Sequence, residues 1–232
     1  MKKFSVWCLA LVLVCSAIAT ARAPQNTKTL KASKNNSLFE NPQGNTSDGA
    51  GPAIFVGCLF VPENCARRGL IAFDVAASIP KRSKITEVTL KLTLERAPNE
   101  AGQLIELRRV LSDWGEGGSN TFGGMGADAT RGDATWLYSF YKTRKWKTAG
   151  GDFSDTASGE QTVSSLGVYT FASTPQMVAD VQSWLDAPQK NFGWLLFGKE
   201  SEQGTLKIFA SRHSTNISAR PQLTIKFRRP GK

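Results

Sequence analysis

A single histidine, His213, stands in 232 residues, so a Ser-His-Asp hydrolytic set could be assembled only around it. The Gly-x-Ser-x-Gly turn that presents a nucleophilic serine is absent. A glycosidase needs only two carboxylates, but nothing in the context of the 19 acidic residues picks out a pair. The expectation is a non-catalytic protein. Long apolar runs are also missing. The longest, Phe4 to Ile18, falls short of the roughly 20 residues a spanning helix needs, so no membrane span is expected.

That run follows the basic head Met1-Lys2-Lys3 and precedes the small residues Ala19, Thr20 and Ala21, the layout of a secretory signal peptide with its cut expected after Ala21, a cut after Ala23 also meeting the small-x-small rule but leaving Pro24 at the new terminus. The chain is therefore expected to be secreted, to the periplasm or beyond it. Cysteine is scarce: loss of residues 1–21 removes Cys8 and Cys15 and leaves Cys58 and Cys65. An exported chain with two cysteines is expected to pair them. A zinc site would need two further soft ligands, and the spacing is not that of a redox pair. Closing eight residues by such a bond contributes about 2.5 kcal/mol in the chain-entropy picture, and Pro62, Glu63 and Asn64 are turn formers.

Lysine and arginine exceed the acids. Without Lys2 and Lys3 the chain carries 27 basic residues against 19 acidic, a net +8. Outside the cell such a surface meets acidic polysaccharides and other cell-surface glycans; nucleic acid is not the expected partner.

The dominant period is that of strands. "ITEVTLKLTLE" sets Val88, Leu90, Leu92 and Leu94 against Thr89, Lys91, Thr93 and Glu95. "QLIELRRVL" puts Ile105, Leu107 and Leu111 on one side with Arg109 interrupting, and "NFGWLLFG", "TLKIFAS" and "RPQLTIKFR" follow. Short strands split by Gly and Pro predict an all-β antiparallel sandwich of jelly-roll type. One helix is expected near Thr174–Leu185: Thr174 is an N-cap, Pro175 suits the first turn, and Met177, Val181, Trp184 and Leu185 share a face.

Two stretches stand out. Ser112 to Ala134 is glycine-rich and has no period, and it carries Asp113, Glu116, Asp128 and Asp133 in the oxygen-rich setting that calcium prefers, without EF-hand spacing. The acids either hold a cation or solvate the loop. In Thr135 to Asp152, Trp136, Tyr138 and Phe140 alternate as a strand face expected in the core, and Lys142, Arg144, Lys145 and Lys147 surround Trp146. An exposed Trp146 could stack on a sugar while the cations pair with carboxylates; a buried one would leave the cations a solvated rim.

"RRGLIAFDVAASIPKRSKITEVTLKLTL", "LRRVLSDWGEG", "GDATWLYSFYKTRKW", "MVADVQSWLDAPQKNFGWLLFG" and "FASRHSTNISARPQLTIKF" follow one another as in exported bacterial proteins of the DNRLRE-domain family, which is similar to alginate-recognising carbohydrate-binding modules. The resemblance spans Thr27 to Phe227. It implies a single domain over 27–228 after a short leader at 22–26, with 229–232 as a tail, although composition alone makes Pro24 to Pro52 a polar linker. It also implies a jelly roll that binds polysaccharide or builds surface structures. The chain departs from its relatives at Ser211-Arg212-His213, where they commonly read Ser-Arg-Glu, and at Asn35 or Asn36, where an acid is often found.

Arg67 and Arg68 follow the expected disulfide at the start of a strand in which Ile71 and Phe73 face one way and Leu70 and Ala72 the other. They either hold an anionic ligand or pair with an internal acid such as Asp74 or Glu116; Arg212 and His213 invite the same two readings. The expected ligand set is thus Arg67, Arg68, Lys142, Arg144, Lys145, Trp146, Arg212 and His213. The expected role is a carbohydrate-binding module for an acidic polysaccharide, or alternatively a structural or adhesive subunit with matrix-protein partners.

Overall fold

The computed structural model describes residues 24–230; the expected signal peptide at 1–21, its cut, and the last two residues of the expected tail lie outside the described residues. In chain order the strands are β1 (Gln25–Lys31), β2 (Lys34–Phe39), β3 (Thr46–Ser47), β4 (Ala53–Cys58), β5 (Ala66–Ala72), β6 (Lys84–Arg96), β7 (Gln103–Val110), β8 (Ala127–Asp128), β9 (Tyr138–Phe140), β10 (Arg144–Lys145), β11 (Phe153–Val163), β12 (Gly167–Phe171), β13 (Trp194–Phe197), β14 (Lys207–Ala210) and β15 (Gln222–Arg228). The helix α1 (Pro175–Asp186) lies between β12 and β13. The sheet begins at Gln25, two residues before the expected domain start, because β1 pairs with β15 from Gln25 opposite Arg228. The stretch whose composition reads as a linker holds three strands.

Eleven strands form one antiparallel sheet that curls over into the expected all-β sandwich. One layer runs β1-β15-β6-β14-β4, with β12 also on β6; the other runs β4-β5-β13-β7-β11, with β2 also on β5. Strand β4 belongs to both: Ala53 to Val56 pair with β14, and Gly57 and Cys58 pair with β5. The corner falls at Gly57, whose φ of +108° disfavours a side chain and whose absent Cβ would lie 2.8 Å from the Thr205 carbonyl oxygen.

Period-two patterning explains what fills the space between the layers. From β6 come Val88, Leu90, Leu92 and Leu94, joined by Ile85 out of step. The break is physical, because the register of β15 on β6 shifts between Lys226 and Phe227, a bulge that turns Ile85 inward. The facing layer supplies Ile71, Ile105, Leu107, Trp194 and Leu196, with Phe73 just beyond β5. Leu111, expected on the same side as Ile105 and Leu107, lies past the end of β7 and is 51% exposed.

Helix α1 starts where expected: the Thr174 hydroxyl accepts from the Met177 N–H, and Pro175 opens the first turn. It serves the part of β6 that β12 does not reach. Gln182 Oε1 accepts from the Ile85 N–H at 2.9 Å and Ser173 Oγ from the Val88 N–H at 3.0 Å, before β12 takes over at Leu90 to Leu94. Asp180 is fully buried on the inner face of the helix, where Oδ2 accepts from Ser158 Oγ and from Trp194 Nε1. Its position among Met177, Val181 and Trp184 is affordable because these donors satisfy it.

Residues 112–152 form a cover. The outer face of the second layer offers Leu38, Leu70, Ala72 and Leu195, and the excursion lays Trp114, Ala134 and Trp146 over them as a second apolar cluster. Both indoles find backbone acceptors, Trp114 at Phe192 O (2.8 Å) and Trp146 at Thr135 O (2.9 Å). Toward β11 the cover stops and that face stays open.

Cys58 and Cys65 are joined, with Cα atoms 4.8 Å apart. No free thiol is expected in a chain cut after Ala21 before reductant is added, by titration under native and denaturing conditions. Reduction should lower the unfolding free energy by about 2.5 kcal/mol and leave the sandwich folded, since a domain of this size buries a core without it. Two titratable thiols in fresh protein would refute the bond. No helix of the described residues is long and apolar enough to cross a membrane.

Candidate functional site

The two adjacent arginines go to opposite sides of β5, as strand geometry requires. Arg67 is 1% exposed over the Phe39 ring and donates to three backbone carbonyls, those of Gly124, Asn64 and Ala66. Burial pushes its guanidinium down to about 10, against the pull of Glu40. It pairs with neither Asp74 nor Glu116, and its donors are spent on the protein's own carbonyls, which corrects the binding role expected for it. One acceptor, the Asn64 carbonyl, belongs to the disulfide loop at a residue with φ +55°; the clip supports the arginine from inside.

Arg68 points outward into the open part of the second layer. It forms a two-pronged pair with Glu200, Nε to Oε1 at 2.6 Å and Nη2 to Oε2 at 2.8 Å, and donates to Gly150 O. Its guanidinium lies 4.6 Å from the Trp136 ring, 5.0 Å from Phe197 and 5.3 Å from Phe153. Arg108 sits on the far side of the same aromatics, 4.9 Å from Phe197 and 5.9 Å from Phe153, and pairs with Glu106. The two phenylalanine rings meet at 5.9 Å.

On either side of this stack of cations and rings lie two hollows. One, of about 640 Å³, is lined by Leu104, Glu106, Arg108, Phe197 and Lys199 among others. The second, of about 390 Å³, is lined by Arg68, Lys147, Asp152, Phe153 and Asp155 among others. They share no lining residue, and with the part-buried stack between them they lie along one interrupted groove on the outer face of β7, β13 and β5. Of the expected ligand residues only Arg68 lines it. Sequence reasoning missed Arg108, Phe153 and Phe197, although the alternation in β7 places Leu104, Glu106 and Arg108 opposite Ile105 and Leu107.

The hairpin of β9 and β10 adjoins the second hollow through Lys147. Lys142 and Lys145 are exposed over Tyr141 and Tyr138, and Arg144 lies 4.4 Å from Phe140 while donating to Ser139 Oγ and Asp113 O. Neither Lys142 nor Lys145 has a carboxylate partner among the described residues. Trp146, placed as a sugar-stacking ring, is 6% exposed and packs in the cluster with Leu38, Leu70 and Leu195; it is core, because the hairpin lies on an apolar sheet face that needs filling.

Arg212 and His213 converge on Glu116 instead of facing outward. Arg212 reaches both carboxylate oxygens at 2.6 and 2.8 Å, and His213 Nε2 lies 3.3 Å from Oε1. Burial alone would raise the Glu116 carboxyl, but Arg212 and the Asn35 N–H outweigh it and hold it below its usual value, while the Arg212 guanidinium is raised by the same contact. Asn35 and Asn36 knit β2 to this network through Gly49 O, Gly115 O and Glu116 O. The side chains at both departures from the resembling family thus support the fold.

The four loop acids do not gather. Asp113 pairs with Lys34, Glu116 with Arg212, Asp128 is exposed on β8 opposite Thr46, and Asp133 is buried, accepting from Thr130 and Ser119. Among the described residues no three His, Cys, Asp or Glu side chains are grouped as a ligand set. The expected joint calcium site of Asp113, Glu116, Asp128 and Asp133 is corrected accordingly: backbone pairing of β3 with β8 holds Asp128 away while three of the acids have protein partners. No protein-family model matches the chain, and no curated protein matches it.

Proposed function

We propose that the chain is an exported, non-catalytic module of the DNRLRE kind that binds an acidic polysaccharide in the groove across β7, β13 and β5. The observation that carries this reading is the stack Arg108, Phe197 and Arg68, with Phe153 beside it, set between two adjoining hollows. Apolar ring faces suit the C–H faces of sugars, and guanidinium groups suit uronate carboxylates. The groove guanidiniums are countered by their own partners, Arg68 by Glu200 and Arg108 by Glu106, so the net positive charge and Lys142 and Lys145, which have no carboxylate partner among the described residues, serve to steer an anionic chain inward.

Affinity electrophoresis in gels holding alginate, polygalacturonate or neutral glucans tests the reading. Retardation is expected in the uronate gels at low salt and should fade as salt screens the outer cations. Phe197→Ala or Arg108→Ala should weaken binding by at least about tenfold. Equal mobility in every gel at low salt would sink the proposal.

A second reading, a structural or adhesive subunit with protein partners, is favoured by one patch. Phe60 in the disulfide loop and Phe122 and Met125 nearby are 77%, 72% and 62% exposed, and Gly124 between the latter two backs onto Leu59. A strictly monomeric protein in light scattering that binds glycan would count against it.

A further inference from the structure

Among the described residues, six buried side-chain polar atoms lack a hydrogen-bond partner, and one of them belongs to a carboxylate: Asp48 Oδ2. Asp48 is fully buried just after β3, and its other oxygen accepts from the Thr121 N–H at 2.8 Å. Asp133, also fully buried, accepts through Oδ1 from the Ser119 N–H and through Oδ2 from the Thr130 N–H. One short run of backbone, 119–121, therefore touches both carboxylates.

The chain is pared back over each acid. A Cβ on Gly51 would fall 1.9 Å from Asp48 Oδ1, and one on Gly117 would fall 1.6 Å from Asp133 Oδ1. Two glycines thus leave room where the oxygens lie. Two buried anions acting on each other, one with a free oxygen, require either a proton or a cation, since an unpaired buried carboxylate is strongly disfavoured.

We propose that Asp48 and Asp133 hold a hard divalent cation, calcium before magnesium, with backbone carbonyls or water completing its shell. The donors are all oxygen, and calcium tolerates the irregular geometry that a loop supplies, whereas magnesium demands a near-octahedral set. Burial pushes Asp48 up to about 7, with the Thr121 N–H opposing, the Asp133 charge adding and Arg96 opposing; Asp133 is raised by its own burial. Asp133 and Arg96 are the charged groups acting on Asp48; Asn36 and Ser119 nearby are neutral. Because Asp48 binds its proton more tightly in the fold, the protein without a bound cation loses stability as pH rises from about 4 through about 7.

Metal content after dialysis, and melting curves in calcium or in chelator, test the site on the mature chain. The expected result is one calcium per chain and a melting temperature higher by about 5–10 °C at hundredfold excess over the dissociation constant, with a larger shift at pH 8 than at pH 5. Asp48→Asn should abolish the shift and Asp128→Asn should keep it. Superimposable curves with no bound metal overturn the proposal, as does an unchanged calcium shift in folded Asp48→Asn. If that variant does not fold, the metal content and melting of the unsubstituted chain decide.

Discussion

Trp194→Ala is expected to lower the unfolding free energy by about 4 kcal/mol, near the middle of the range for truncating a buried aromatic. The indole is fully buried, its ring centroid 4.6 Å from that of Trp184, and its N–H satisfies Asp180. Truncation therefore opens a cavity where β13 meets α1 and removes a donor from a buried carboxylate. Trp194→Phe separates the two effects, since it keeps most of the volume and loses only the donor, and should lower stability by about 1–3 kcal/mol. Urea midpoints with unchanged m values provide the measurement. A loss under 1 kcal/mol for the alanine variant would mean that the inter-layer core is not packed around this ring.

Arg68→Met should lower stability by about 3 kcal/mol, toward the low end for breaking a buried pair, because the side chains of Arg68 and Glu200 keep 12% and 18% exposure. The methionine can still lie along Phe153 and Phe197, so most of the loss comes from Glu200 left without its partner. Adding Glu200→Leu should restore most of it, giving a coupling energy that a double-mutant cycle resolves. If the double variant is no more stable than Arg68→Met, the pair is not the source of the loss.

The strands were legible because a two-sided sheet writes its burial with period two. Leu90, Leu92 and Leu94 in β6 need no partner to be read, and Thr174 and Pro175 announce the helix locally. What could not be read depends on register between distant segments. The bulge that turns Ile85 inward sits at Thr86 in β6 but shows itself only in the pairing with β15, and the carboxylate that takes Arg68 lies 132 residues away. Trp146 among cations looked like a ligand platform because nothing local reveals that its hairpin lies on Leu70 and Leu195. Asp48 is hidden for a related reason: a lone acid in a polar stretch gains meaning only when the fold brings Asp133 near it and Gly51 against it.

Strand β4 gives the molecule its mechanical unity. Since Ile54 to Val56 are hydrogen-bonded within one layer and Gly57 to Cys58 within the other, neither layer can peel away without tearing the strand they share. The sandwich should then open as one cooperative body, and the amides of Ile54 to Val56 should exchange with solvent only when the whole domain unfolds. A glycan drawn along the groove would pull on β5 and β13, and the corner at Gly57 would pass that load into the opposite layer.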